Sequence, residues 1–310
     1  MSLDNESFVT LLYHTLLGRA PDEAGLASHL VNLNDGKITH DELVLVFLSS
    51  EESSRRQAQL IHSHSQSAEI RDTDKDWQAI AEEAPYHGVL VEERFRDPNS
   101  EDLAQFFASG QAYAEQTLAT IRRAFGNFTP KSALDFGCGV GRLLIPLARI
   151  AGQAIGVDVA QGMLERAQHH IKSSRVNASV RNDIPSEDRF DWVNSFIVLQ
   201  HIPPVRGYVI IDKLWKAVNV GGVMTLHVTT YHDHTHVGEL LRELSSYGYD
   251  GQQAVIYTSP AASEHPHMTM YDYDLSRVLA LLDLREGHEL LLQHTQHGGC
   301  HGVVLYVRKS

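Results

Sequence analysis

The stretch ALDFGCGVGRLLIPLARIAGQAIGVDVA, residues 133–160, decides how this chain is read. It opens on an apolar run, passes through Gly137, Gly139 and Gly141, continues as a helical segment and ends in a second apolar run closed by Asp158. Glycines let the backbone leave a strand sharply and come close to a ligand, and the helix that follows offers unpaired N–H groups. The spacing is G-x-G-x-G, and Arg142 stands where a dinucleotide G-x-G-x-x-G loop has its last glycine. Asp135 separates the two further, because a carboxylate in the cup repels pyrophosphate and attracts an ammonium group. One strand and one helix later, Asp158 is placed to accept the hydroxyls of a ribose. A single molecule carrying both a ribose and an amino acid satisfies both acids.

Outward from this stretch, short apolar runs alternate with amphipathic segments: SALDF, GRLLIPLARIA, QAIGVDV, GMLERAQHHI, ASVRND, FDWVNSFIVL, VRGYVIIDKLWKAV and GGVMTLHVTT. That alternation predicts a parallel α/β sheet. The chain ends differently, with a helix at DLSRVLALLDL and two runs, HELLLQHTQ and HGVVLYVRK, joined by the glycine turn HGGC as an antiparallel hairpin. Upstream, residues 75–130 read as mainly helical, a lid or preface to the sheet. Residues 53–74 are polar and read as a linker, and residues 1–52 read as a small all-α unit with apolar residues at helical spacing.

Composition narrows the function classes. With 310 residues, 43% hydrophobic and 21% charged, the chain supports one large domain and a smaller one. A net charge of −13 with no basic stripe argues against nucleic acid. Two cysteines, Cys138 and Cys300, are too few for a disulfide framework and fit a reducing, cytoplasmic setting. No apolar run approaches the ~18 residues of a membrane span, and no export signal is read at the N-terminus.

The segments LDFGCGVGR, GVDVAQGMLERA, RNDI and FDWVNSFIVLQHIP resemble, in order and spacing, the motifs of class I S-adenosylmethionine-dependent methyltransferases. The resemblance covers roughly residues 132–308 and implies a seven-stranded Rossmann-like sheet in the order 3-2-1-4-5-7-6, its last strand antiparallel. It implies S-adenosyl-L-methionine as cofactor. Asp135 and the loop Gly137, Cys138, Gly139 and Gly141 would then bracket the methionine part, Asp158 would hold the ribose, and Val159 beside it would belong to the same cofactor site. Met163 would lie against adenine, Asp183 and Ile184 beside its amino group, and Ser195 and Phe196 near the methionine amino group. The front segment YHTLLGRAPDEAGLASHL, with VFLSSEE after it, resembles a bacterial helical domain of unknown function that accompanies proteins of surface-glycan assembly. That hints at a glycan-type acceptor and at a protein partner for the front unit.

For the transfer itself, His201 in LQHIPP falls after the fourth strand, at the carboxyl edge where an open α/β sheet places its ligand. A histidine there can take a proton from an acceptor hydroxyl, or can pack under the cofactor loop. His232, His234 and His236 share a face only if their segment is extended; a solvated loop competes with a metal site, and no metal is assigned. Residues 247–271 interrupt the alternation, and Tyr249, Tyr257, Met268 and Tyr271 could line an acceptor pocket or form a satellite core. The expectation is thus a methyltransferase acting on a small or glycan-type polar acceptor at oxygen. The competing class is a non-catalytic binding or assembly protein built on the same fold.

Overall fold

The computed structural model describes residues 4–17, 19–48, 50–52, 72–232, 246–249, 255–258, 270–284, 287–297 and 299–310. The chain divides into two compact units, Met1–Glu69 and Ile70–Ser310.

The first unit is helical: α1 (Asn5–Leu12), a π-helical turn (Tyr13–Leu17), α2 (Glu23–Asn34) and α3 (His40–Leu48). Asp4 and Asp22 cap α1 and α2, each carboxylate accepting a backbone N–H at 2.8 Å. Val9, Leu12, Tyr13, Leu43 and Phe47 form its core. Arg19 ties the unit together, its guanidinium lying 4.9 Å over the Tyr13 ring and pairing with Asp22 and Glu52.

The second unit opens with α4 (Thr73–Glu83), α5 (Pro85–Val89) and the long α6 (Ser100–Phe125), which starts on a reciprocal capping box between Asn99 and Asp102. Helix α4 begins inside the stretch read as linker, so Thr73 and Asp74 are part of the second unit; residues 53–71 lie outside the described residues. The sheet follows as β1 (Ala133–Phe136), β2 (Ala154–Val157), β3 (Ala178–Arg181), β4 (Phe190–Ser195) and β5 (Val218–His232). Helices α7 (Leu144–Ala151), α8 (Gln161–Ser174) and α9 (Pro204–Lys216) join the strands, except that β3 connects to β4 without a helix. Three short strands come next, β6 (Ser246–Tyr249), β7 (Val255–Thr258) and β8 (Met270–Tyr271), and then α10 (Leu275–Leu281) and the hairpin β9 (Glu289–His297) and β10 (Cys300–Arg308).

The large sheet runs β3-β2-β1-β4-β5-β10-β9, with β1 to β5 parallel and β10 antiparallel to both neighbours. Counted without the inserted strands, this is the expected order 3-2-1-4-5-7-6. The insertion was expected as an irregular interruption; it contains a separate three-stranded antiparallel sheet, β6-β7-β8. Both faces of the large sheet are covered, as a parallel sheet requires. One core gathers Leu134, Val193, Ile211, Leu226 and Leu305 with Val278 of α10; the other gathers Ile121, Leu144, Leu147, Trp192 and Tyr306. The front helices close a third core around Phe95, Phe106, Val140 and Met163. Among the described residues no helix is long and apolar enough to cross a membrane.

Candidate active site

The β1–α7 connection is built by backbone strain that glycine alone relieves. Gly137, Gly139 and Gly141 all take positive φ, at 74°, 51° and 95°. A Cβ on Gly137 would overlap the Val198 side chain, and one on Gly139 would stand 2.9 Å from Val89. The loop is tied to β2 by N–H donation from Gly137 and Cys138 to the Val157 carbonyl, at 2.7 and 3.0 Å. Cys138 is buried against Gly156, which has no side chain to obstruct it, and burial pushes its thiol up, toward the neutral form.

Asp158 has a second task beyond any ligand. Its Oδ2 accepts the Gly139 N–H at 2.8 Å and its Oδ1 the Ala160 N–H at 2.9 Å, so the same carboxylate holds the glycine loop and the start of α8. Burial raises its pKa, opposed by these N–H groups. Each oxygen keeps a further lone pair for a hydroxyl. Asp135 lies on β1, 2% exposed, and its Oδ1 accepts from Asn194 Nδ2 at 2.8 Å. Burial lifts its carboxyl to about 7, with the Asn194 bond and the nearby Arg142 guanidinium pulling the other way. Among the described residues Asp135 Oδ2, Arg142 Nε and Ser195 Oγ, all buried, make no hydrogen bond. Orphaned groups of this kind are costly unless a ligand completes them.

Asp135 and Arg142 border a cavity of about 420 Å³. Asp135, Gly137, Cys138, Gly139, Asp158, Val159, Met163, Asp183, Ile184, Phe196 and His201 line it, so the structure brings together most residues expected from the sequence. Gly141 and Ser195 do not reach the wall: Gly141 turns the loop against Ala167, and Ser195, at the end of β4, is buried. Tyr271, read as either an acceptor-pocket residue or part of a satellite core, is 2% exposed in the core under α9 and α10, its carbonyl accepting from Thr229 Oγ1 at 2.7 Å, and it is not in the wall of this cavity. Met268, His234 and His236 lie outside the described residues, as do the side chains of Tyr249, Tyr257 and His232. Among the described residues no group of three or more His, Cys, Asp or Glu side chains gathers to hold a metal.

Three wall elements went unread in the sequence. Trp77 of α4 lines the cavity and meets His201 edge-on, ring centroids 5.1 Å apart at 67°. Its neighbour Gln78 clasps the turn after β2, donating to the Val159 carbonyl at 2.8 Å and accepting from Gln161 N–H at 3.1 Å. Asp74 pairs with Arg206 of α9 at 2.6 Å, both lining the cavity. Ile197, just past β4, is also in the wall and has φ 58°, a conformation that a β-branched residue adopts only under constraint. His201 itself ends a 3₁₀ turn (Leu199–His201) and is largely buried.

Residues 133–222 match the family model described as a methyltransferase domain. This second unit carries a methyltransferase domain. A domain of unknown function matches residues 1–57, over the helical unit. Among curated relatives, the chain is 30% identical over 140 residues to carboxy-S-adenosyl-L-methionine synthase of Hydrogenovibrio crunogenus, 40% of this chain and 55% of that protein. It is 34% identical over 96 residues to ubiquinone biosynthesis O-methyltransferase of Azorhizobium caulinodans, 29% of this chain and 37% of that protein. The chain thus spans about half or less of the length of these relatives. Magnesium protoporphyrin IX methyltransferase from Synechocystis PCC 6803 with bound S-adenosylhomocysteine is 18% identical with a TM-score of 0.49, over 73% of this chain and 98% of that one, a likeness too distant to bear on substrate. The residues of the methyltransferase domain fit its cofactor: Asp135 offers an unpaired buried oxygen for an ammonium, Arg142 an unpaired N–H, and the glycine loop a surface that any Cβ would fill.

Proposed function

We propose that this chain is an O-methyltransferase that alkylates a hydroxyl of a small or glycan-type polar acceptor. The observation that carries the reading is the convergence of Asp135, Asp158, the glycine loop and His201 on one cavity. S-adenosylmethionine would supply the methyl on a sulfonium, and the protein must orient the acceptor and take its proton. Asp135 would hold the ammonium and Asp158 the ribose hydroxyls, while Met163, Val159, Asp183 and Ile184 enclose the base. His201, packed against Trp77 in the wall, would receive the acceptor proton. Oxygen as the acceptor atom draws on the likeness to the ubiquinone biosynthesis O-methyltransferases, and the glycan context only on what the resemblance of the front segment implies.

The test couples binding to turnover on a panel of phenolic, sugar and carboxylate acceptors, with S-adenosylhomocysteine release as the signal. His201→Ala should leave S-adenosylhomocysteine affinity within about threefold while lowering turnover by ~10²-fold or more. Falling affinity with turnover kept at saturation would make His201 a support for the cofactor loop. Binding without turnover on any acceptor would favour the non-catalytic reading.

A further inference from the structure

Behind Asp135 a buried hydrogen-bonded chain crosses three strands. Trp192 Nε1–H donates to Thr225 Oγ1 at 3.0 Å, Thr225 Oγ1–H to Asn194 Oδ1 at 2.8 Å, and Asn194 Nδ2–H to Asp135 Oδ1 at 2.8 Å. The register explains the alignment: Asp135 of β1 lies opposite Asn194 of β4, which lies opposite Thr225 of β5. None of the four side chains is more than 2% exposed.

The chain has only one polarity. An indole N–H can donate and never accept, so the Thr225 hydroxyl, having accepted from it, turns its single proton to Asn194. That fixes the Asn194 oxygen toward Thr225 and its NH2 toward Asp135. An NH2 group can only donate, so Asp135 Oδ1 must be an acceptor, and the oxygen left wholly unpartnered among the described residues is Oδ2. The other titratable groups around Asp135 are Arg142, whose charge favours the carboxylate, Asp158, which opposes it, and Tyr113 and Cys138, both pushed toward their neutral forms by burial.

We propose that Trp192, Thr225 and Asn194 act as a positioning relay that aims Asp135 Oδ2 into the cavity and keeps the carboxylate charged for a ligand's ammonium group. The proposal rests on the reading of Asp135 as the ammonium partner. Within it, Asn194 and Thr225 set both the affinity and the pH threshold of cofactor binding, although neither lines the cavity.

Thr225→Val keeps the shape and removes the hydroxyl, leaving the Asn194 amide free to turn its oxygen toward Asp135; Asn194→Leu removes the donor; Thr225→Ser keeps the relay. S-adenosylhomocysteine is titrated calorimetrically into each protein between pH 6 and 8.5, and affinity is read as the ratio to wild type, which cancels the ligand's own titration. The Val and Leu variants should bind about tenfold more weakly at pH 6, the loss expected for one hydrogen bond to a charged group, and converge on wild type by pH ~8.5. The Ser variant should track wild type throughout. A loss that is the same at every pH, or no loss, overturns the relay. If wild type itself binds no S-adenosylhomocysteine at any pH, the cofactor reading fails. The relay is then decided on the ligand-free protein, where Thr225→Val should move the pH midpoint of the stability curve upward, and an unmoved midpoint overturns it.

Discussion

Replacing Asp135 by Asn should make the ligand-free protein more stable and unable to hold its cofactor, and the size of the gain should depend on pH. The substitution keeps an oxygen to accept the 2.8 Å bond from Asn194 and removes a buried charge. Burial raises the Asp135 carboxyl from 3.8 to about 7. A carboxyl whose folded pKa is raised binds its proton more tightly when folded, so it costs the fold nothing below the unfolded value. The cost grows through the window from 3.8 to about 7 and is full above it. Three units at 1.36 kcal/mol each give a cost of about 4 kcal/mol at pH 8, and about 1.5 kcal/mol at pH 5. The Asn variant relieves this cost but leaves an unpaired N–H in place of Oδ2, a pH-independent penalty of about 1–3 kcal/mol. The net gain at pH 8 is therefore about 1–3 kcal/mol and is lost toward pH 5, a change of about 2.5 kcal/mol that is free of that penalty. For a unit of this size that corresponds to roughly 5–10 °C in Tm. Thermal unfolding of both proteins across this range, with S-adenosylhomocysteine titrated at pH 8, is the assay. A variant-minus-wild-type difference that stays flat with pH refutes the account of Asp135 as a buried, strained charge. Retained tight binding refutes its role toward the ammonium.

The remaining expectations concern the loop and the domain boundary. Gly137→Ala places a Cβ into Val198 at φ 74°, so it should abolish S-adenosylhomocysteine binding and lower stability by about 1–3 kcal/mol or more. Gly152→Ala, at φ 80° with nothing within 4 Å, should cost only about 1–2 kcal/mol and leave titrated affinity unchanged; equal behaviour of the two variants would remove the steric argument for the loop. Residues 70–310 form one compact unit, so that fragment should fold cooperatively and bind S-adenosylhomocysteine within about threefold of the full chain, and an unfolded or cofactor-dead fragment would place the boundary elsewhere.

The sheet was legible because its elements are written in local periodicities. Strands β1, β2 and β4 are short runs of four to six residues, each followed by an amphipathic helix, and Gly299, at φ 87° in the turn of HGGC, marks the closing hairpin. The two carboxylates and the glycine loop were legible for the same reason, since each sits at the end of a strand whose position the pattern gives. The place of Tyr271 stayed open between pocket and core because a two-residue strand leaves no periodicity, and nothing local tells that its carbonyl meets Thr229. Asn194, Thr225 and Trp192 read as ordinary strand residues; only the pairing of β1, β4 and β5 turns them into a chain. Trp77 and Gln78 belong to a helix that sequence reading could place before the sheet, without saying which of its faces closes the cavity. Ile197 contradicts its own backbone preference, and a strained position held by its surroundings leaves no mark in composition.

Calorimetric titration of the full chain with S-adenosylhomocysteine, in competition with S-adenosylmethionine and with NAD, tests the central claim most directly. The arrangement of Asp135, Asp158 and the glycine loop requires one saturable site per chain that S-adenosylmethionine competes for, that NAD leaves untouched, and that Asp158→Ala weakens by about 1.5–3 kcal/mol or more, since it loses loop bonds as well as ribose bonds. A folded protein that takes up no S-adenosylhomocysteine, or that binds NAD in its place, would contradict it.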